Sequence, residues 1–238
     1  LLAFDVTEQA EAERMRREFT ANVSHELKTP LQSIIGSAEL LENGLVKPED
    51  QPRFLNRIHQ EADRLVALIN DILRLSQLDE GGALPHEQVS VLELAQEAAR
   101  SLTAQAAAQA VHISVTGTAG TVFGVRRLLY EIARNLCENA VKYNVPGGSV
   151  TVEVAETDRD VTLLVRDTGI GIPEGDQSRV FERFYRVDKS HSRAIGGTGL
   201  GLSIVKHAVA YHHGTLRLES QPGKGTVITV TLPKEPTE

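Results

Sequence analysis

Apolar residues recur every three or four positions from Met15 through Phe19, Val23, Leu27, Leu31, Ile34, Ala38 and Leu41 to Leu45. They recur again from Leu55 through Ile58, Ala62, Leu65, Leu68 and Ile72 to Leu75 and Leu78. Spacing of that kind lines one face of a helix. Between the stripes lie Gly44, Pro48 and Pro52, which predict a turn over Asn43–Pro52 and so an antiparallel helical hairpin. A lone hairpin cannot cover both stripes. Two copies can bury them as a four-helix bundle, so a homodimer is expected.

Past "DEGGALP" (Asp79–Pro85) the texture becomes mixed. The patterning predicts a helix over Val89–Ala110, a strand at Val111–Val115 and a helix over 126–143. Strands follow at Val150–Val154 and Val161–Val165, then a helix at Leu202–Tyr211 and strands at Leu216–Leu218 and Val227–Leu232. The chain therefore reads as multidomain, an α hairpin followed by an α/β sandwich. With 238 residues, 41% of them hydrophobic, it can fill both cores. A net charge of −7 argues against a nucleic-acid surface. The lone cysteine, Cys137, excludes an internal disulfide and fits a reducing compartment; with His207 it reads as ordinary packing or surface. No apolar run reaches the length of a membrane span. Since Leu1 is not a natural start, the chain reads as the C-terminal part of a longer protein, any membrane anchor lying upstream.

Four stretches carry chemistry. In "EIARNLCENAVKY", Glu131, Asn135, Asn139 and Tyr143 fall on one helical face, opposite Ile132, Leu136, Ala140 and Val141. An Asn oxygen is a hard neutral ligand, suited to a magnesium ion already neutralised by phosphates, and Lys142 could meet a phosphate. "VTLLVRDTGIGIP" runs a strand into Asp167, Gly169 and Gly171, a carboxylate acceptor beside backbone that can approach a flat ligand. "RVFERFYRVDKSHSR" is polar and basic, and suits a lid with Arg186 in reach of phosphate. "GGTGLGLSIVKHAVA" sets Gly196, Gly197, Gly199 and Gly201 before a helix, where free N–H groups favour phosphate. Each alone has a bland reading: a solvated helix face, a capped loop, or a glycine turn.

The fifth stretch is "NVSHELKTPL", Asn22–Leu31. It places Pro30 inside the first helix, where a missing N–H and a ring clash cost about 3 kcal/mol, and leaves the carbonyl of Glu26 without its partner. A zinc-protease reading of "HELKT" fails because position 29 is Thr29.

In order and spacing these five stretches resemble the sensor histidine kinases of two-component phosphorelays, from about residue 12 to 235. The resemblance extends to the phosphate-regulon type through "LLAFDVTEQ", which is similar to the last strand of a sensor domain feeding a signalling helix. It divides the chain into the end of an upstream sensor segment (1–12), a dimerisation and phosphotransfer hairpin (13–80), a linker (81–86) and a Bergerat-type ATP-binding sandwich (87–235).

It also implies roles. His25 would attack the γ-phosphoryl of ATP, Glu26 would take or steady the proton on the other ring nitrogen, and Thr29 would orient a water that dephosphorylates the partner's aspartate. Pro30 would be a bend that lets the helix flex beside the ring. Asp167 would bind the adenine amine with Gly169 and Gly171 giving it room. Asn139 would ligate Mg2+ with Asn135 helping, while Lys142, Tyr143, Tyr185 and Arg186 would line the nucleotide. Gly197, Thr198, Gly199, Leu200 and Gly201 would hold its phosphates. The implied cofactors are ATP and Mg2+, the partner a response-regulator receiver domain, and the location cytoplasmic for this region. Two departures stand out: Val125 where relatives carry a capping aspartate, for which Gly124 is expected to substitute, and His191 where many carry arginine. The alternatives are an ATPase of the gyrase, chaperone and mismatch-repair kind, against which the "SHELKTPL" helix argues, and a non-catalytic scaffold, against which His25, Glu26 and Asn139 argue.

Overall fold

The computed structural model describes residues 7–79, 84–187 and 197–235. Four features read from the sequence lie outside them: the strand at 1–6, the linker glycines Gly81 and Gly82, His191, and Gly196. The chain divides into two compact units, Leu1–Ile72 and Leu73–Glu238.

The first unit holds the hairpin as far as Ile72. Helix α1 (Thr7–Glu42) runs unbroken through Pro30, and α2 (Gln51–Asp79) returns. Gly44, at φ 65°, ends α1 in the left-handed region, and the N–H of Leu45 reaches back to the carbonyl of Leu40. A short 3₁₀ turn, Pro48–Asp50, leads into α2. The predicted turn is thus too long at its far end. Pro52 is the second residue of α2, where its missing N–H costs no helical bond. Leu31, Ile35, Leu55, Val66 and Ile69 are exposed along the two helices.

The second unit is a two-layer sandwich. Strand β1 (Glu87–Ser90) leads into helices α3 (Val91–Ser101) and α4 (Thr103–Ala108), followed by β2 (His112–Gly117) and β3 (Thr121–Gly124). Then come α5 (Arg126–Lys142), β4 (Ser149–Glu156), β5 (Asp160–Asp167) and the single turn α6 (Glu174–Gln177). Helix α7 (Gly201–Tyr211), β6 (Thr215–Gln221) and β7 (Gly225–Pro233) complete it. The main sheet has the order β2-β4-β5-β7-β6, with β2 and β4 parallel and the other neighbours antiparallel.

Alternation does the sorting. Val150, Val152 and Val154 of β4, Val161, Leu163 and Val165 of β5, and Ile228, Val230 and Leu232 of β7 point to one face. In register, Val152 faces Val165, which faces Ile228, and Leu163 faces Val230. They form one buried cluster with Leu94 and Ala98 of α3, Ile132 and Leu136 of α5, and Val205 and Val209 of α7. On the other face Thr151, Thr162, Thr229 and Thr231 stay half-exposed.

The predicted helix over Val89–Ala110 is three elements. Val89 and Ser90 belong to β1, which pairs antiparallel with β3, a strand too short to register in the periodicity. Ser90 then caps α3 by accepting the N–H of Glu93 at 3.3 Å. At the far end the hydroxyl of Ser101 donates to Ala98 O and that of Thr103 to Arg100 O, satisfying carbonyls that a continuing helix would use.

Candidate active site

The residues expected to face a nucleotide come from α5, the end of β5 and the start of α7. Along α5 the apolar side is sealed: Ile132, Leu136, Ala140 and Val141 are all buried. That seal holds Asn135, Asn139 and Lys142 on the opposite side, and Tyr143 at the C-terminal cap. The glycine loop meets them there. A side chain at Gly201 would come within 2.8 Å of Asn135 Oδ1 and 3.9 Å of Asn139 Nδ2. One at Gly197 would lie 3.3 Å from the Tyr143 hydroxyl and 3.5 Å from Lys142 Nζ. Both glycines therefore leave space directly over the polar face of α5.

Asp167 stands half-buried at the C-terminal end of β5. Its Oδ1 accepts the N–H of Gly169 at 2.8 Å and that of Thr226 at 3.2 Å. Burial pushes its carboxyl above the ordinary range, and those two N–H groups oppose the shift. Gly169 packs on the carbonyl of Tyr143, so tightly that a Cβ would sit 2.3 Å from it. Gly171 adopts φ 69° against the carbonyl of Gln221. The strand end, the glycines and the end of α5 are thereby locked together.

At the segment after α6, Tyr185 is turned toward that helix. Its hydroxyl donates to Asp176 and its ring carries the guanidinium of Arg179 at 4.3 Å. Arg186 is half-buried. The N–H of Phe184 donates to Gly199 O at 2.9 Å, joining the two sides of the segment expected to act as a lid. Thr198 Oγ1 accepts the N–H of Leu200 at 3.3 Å, and Leu200 is fully buried.

In the hairpin, His25 is exposed. One turn on, the hydroxyl of Thr29 donates to His25 O at 3.2 Å. Glu26 is half-buried, 3.6 Å from Arg64 of α2, so a guanidinium competes for the carboxylate beside the imidazole. Cys137 is fully buried, its thiol pushed up to about 12 by burial, and inert to solvent chemistry.

Two residues that brace α5 carry no signal in the sequence. His212 supplies the cap expected of Gly124: its Nε2 accepts the Val125 N–H at 3.0 Å, and Gly124 is needed because a Cβ would lie 2.6 Å from the ring. Arg74 pairs with Glu131 at 3.2 Å. Neither leaves a sequence signal, since each partner is distant along the chain.

Two family models match: the His Kinase A phospho-acceptor domain over residues 15–81, and the histidine kinase-, DNA gyrase B- and HSP90-like ATPase over 124–236. The sensor-like histidine kinase SenX3 of Mycolicibacterium smegmatis is 42% identical over 98% of this chain, which spans 61% of that relative. A solved mycobacterial sensor histidine kinase, MprB, is 33% identical, with TM-score 0.56, over 64% of this chain and all of that one. The histidine kinase ThkA, solved in complex with the response regulator protein TrrA, shares the fold, with TM-score 0.74 and 23% identity over 99% of this chain and 69% of that one. No helix of the described residues is long and apolar enough to cross a membrane. An ATPase fold of this kind serves gyrases and chaperones as well, and what separates them here is the phospho-acceptor hairpin that precedes it: the chain belongs to the sensor histidine kinase family.

Proposed function

We propose that this region autophosphorylates His25 from ATP and passes the phosphoryl group to an aspartate of a response-regulator receiver domain. The hairpin (13–80) would be the dimerising phosphotransfer domain, 81–86 the linker and 87–235 the catalytic domain. The observation that carries the reading is an exposed imidazole at position 25 with a carboxylate next to it, in a chain that also builds a glycine-lined polar cradle on α5.

The cradle's donors fit a magnesium nucleotide. Asp167 Oδ2 would accept the adenine amine while Oδ1 stays with Gly169 and Thr226. The amide oxygen of Asn139 would ligate the metal with Asn135 beside it; Lys142, Tyr143, Tyr185 and Arg186 would line the nucleotide, and the Gly197–Gly201 loop would hold its phosphates. Bound magnesium would neutralise phosphate charge and fix its geometry. The lone pair of His25 Nε2 attacks the γ-phosphorus as the bond to the bridging oxygen breaks and ADP leaves. Glu26 steadies or takes the proton on Nδ1.

The exposed apolar residues Leu31, Ile35, Leu55, Val66 and Ile69 support a homodimer that buries them as a four-helix bundle. The partner named with ThkA supports a receiver domain as phosphoryl acceptor, with Thr29 orienting a water that hydrolyses the aspartyl phosphate of that partner to inorganic phosphate. The region works on cytoplasmic ATP, and a membrane anchor would belong to the portion upstream. Incubation with γ-labelled ATP tests the reading: an acid-labile, base-stable label is expected on the parent and absent from His25→Ala. Free phosphate without labelled protein would point to an ATPase, and neither signal to a scaffold.

A further inference from the structure

Glu131 is a carboxylate buried in the polar face of α5, only 5% exposed, four residues before Asn135. A buried carboxylate needs a cation or several donors. Its Oε1 lies 3.2 Å from a guanidinium nitrogen of Arg74, on the last turns of α2, a stretch that belongs to the second unit. Its Oε2 accepts from Asn135 Nδ2 at 3.3 Å, and the same Nδ2 donates to the Glu131 carbonyl at 2.8 Å. With both hydrogens of that amide directed at Glu131, the side chain has one orientation. Its Oδ1 is aimed at Gly201, at the mouth of the phosphate loop, 2.8 Å from where a Cβ would stand. Leu75, beside Arg74, is fully buried and fixes that end of α2 in place.

We propose that Arg74 and Glu131 are positioning residues for the nucleotide site: Arg74 neutralises the buried Glu131 carboxylate, which holds Asn135 with its amide oxygen toward the metal and phosphates. This rests on the ATP-binding reading above. The tail of α2 is then part of the site, and moving or neutralising Arg74 leaves an unpaired buried charge. That charge draws in water or rotates, and Asn135 turns with it. The effect falls on the phosphate end; the adenine end, held by Asp167, is untouched.

The test is calorimetric titration of the 238-residue chain with MgATP and NMR titration with adenosine alone. Arg74→Met is expected to weaken MgATP about tenfold, the size typical of losing a partner behind a metal ligand, with adenosine binding unchanged. Arg74→Lys, which keeps the charge, and the double variant Arg74→Met with Glu131→Gln, which removes the orphaned charge, are each expected to recover most of the loss. Arg134→Gln, from the surface pair with Glu138 on the same helix, should bind as the parent does. Equal MgATP affinity in Arg74→Met and parent overturns the proposal, as does a double variant no better than the single one, or equal losses for adenosine and MgATP. Should Arg74→Met not fold, Arg74→Lys carries the decision: a full tenfold loss there overturns it. A parent that binds no MgATP would sink the ATP reading as well, so the two failures are told apart.

Discussion

His212 Nε2 accepts the backbone N–H of Val125 at 3.0 Å, so an imidazole at the end of α7 caps the helix that carries the asparagines. Since Nε2 is the acceptor, the ring proton sits on Nδ1 and is donated to Ala208 O at 2.7 Å. Burial pushes this imidazole below its ordinary value; the Ala208 carbonyl opposes the shift, and the neighbouring His86 and His213 reinforce it. The native pKa lies below the unfolded one, about 6.5. As pH falls through the unfolded value, the unfolded chain takes up the proton first. The stabilisation is therefore complete above about pH 6.5 and is lost between there and the native pKa. His212→Leu should cost about 1–2 kcal/mol at pH 7.5 through the lost cap, and the gap to the parent should narrow toward pH 5.5. Thermal melts across that range check it; a constant gap would show that the ring's protonation is irrelevant.

What the sequence revealed and what it hid follow from the range of each interaction. The stripes of α1 and α2 and the polar face of α5 are local patterns, and periodicity displays them. The short β1–β3 pair is stabilised by contact with a distant segment, so Val89 and Ser90 carried the texture of the helix they precede. The cap on α5 is a tertiary contact spanning more than eighty residues, invisible at Val125. Glu131 was placed on the correct face, but nothing near it announced Arg74.

Asp167 is a buried acceptor whose native pKa is raised. The unfolded chain ionises it first as pH rises. The contribution to stability is therefore full below the unfolded value and gone above the native one, leaving the carboxylate a net cost at neutral pH. Asp167→Asn keeps an oxygen for Gly169 and Thr226 but turns an NH2 group toward the adenine amine. Nucleotide affinity should fall about tenfold or more, a hydrogen bond to a charged acceptor being worth about 1.5–3 kcal/mol. The unliganded melting temperature should be unchanged or higher. A variant that loses affinity and stability together would contradict this account.

Gly199 takes φ 75° with the backbone of Phe184 3.0 Å from where a Cβ would stand. Alanine there costs about 1–2 kcal/mol for the left-handed conformation, and the clash displaces Phe184 from its bond to Gly199 O. Gly199→Ala should weaken ATP binding while leaving hydrogen-exchange protection in β4, β5 and β7 intact, because the strain falls on the lid's base and not on the sheet. Loss of protection across those strands would instead mark Gly199 as a core residue.

Pro30 is buried in an unbroken α1 and denies Glu26 O its helical donor, five residues past the exposed His25. The hydroxyl of Thr29 donates to the neighbouring carbonyl, that of His25. Pro30→Ala restores the N–H, and the hairpin should gain up to about 3 kcal/mol, less what is lost by removing ring atoms from a packed position. If the missing bond lets the helix flex beside His25, the stiffer variant should label more slowly with γ-labelled ATP at saturating nucleotide, its ATP affinity unaltered because the cradle lies in the other unit. Amide exchange around Glu26–Pro30, melting temperature and single-turnover labelling, measured on one preparation, separate the two effects. A more stable hairpin that phosphorylates at the parent rate would show the proline to be a tolerated defect, with no part in presenting the imidazole.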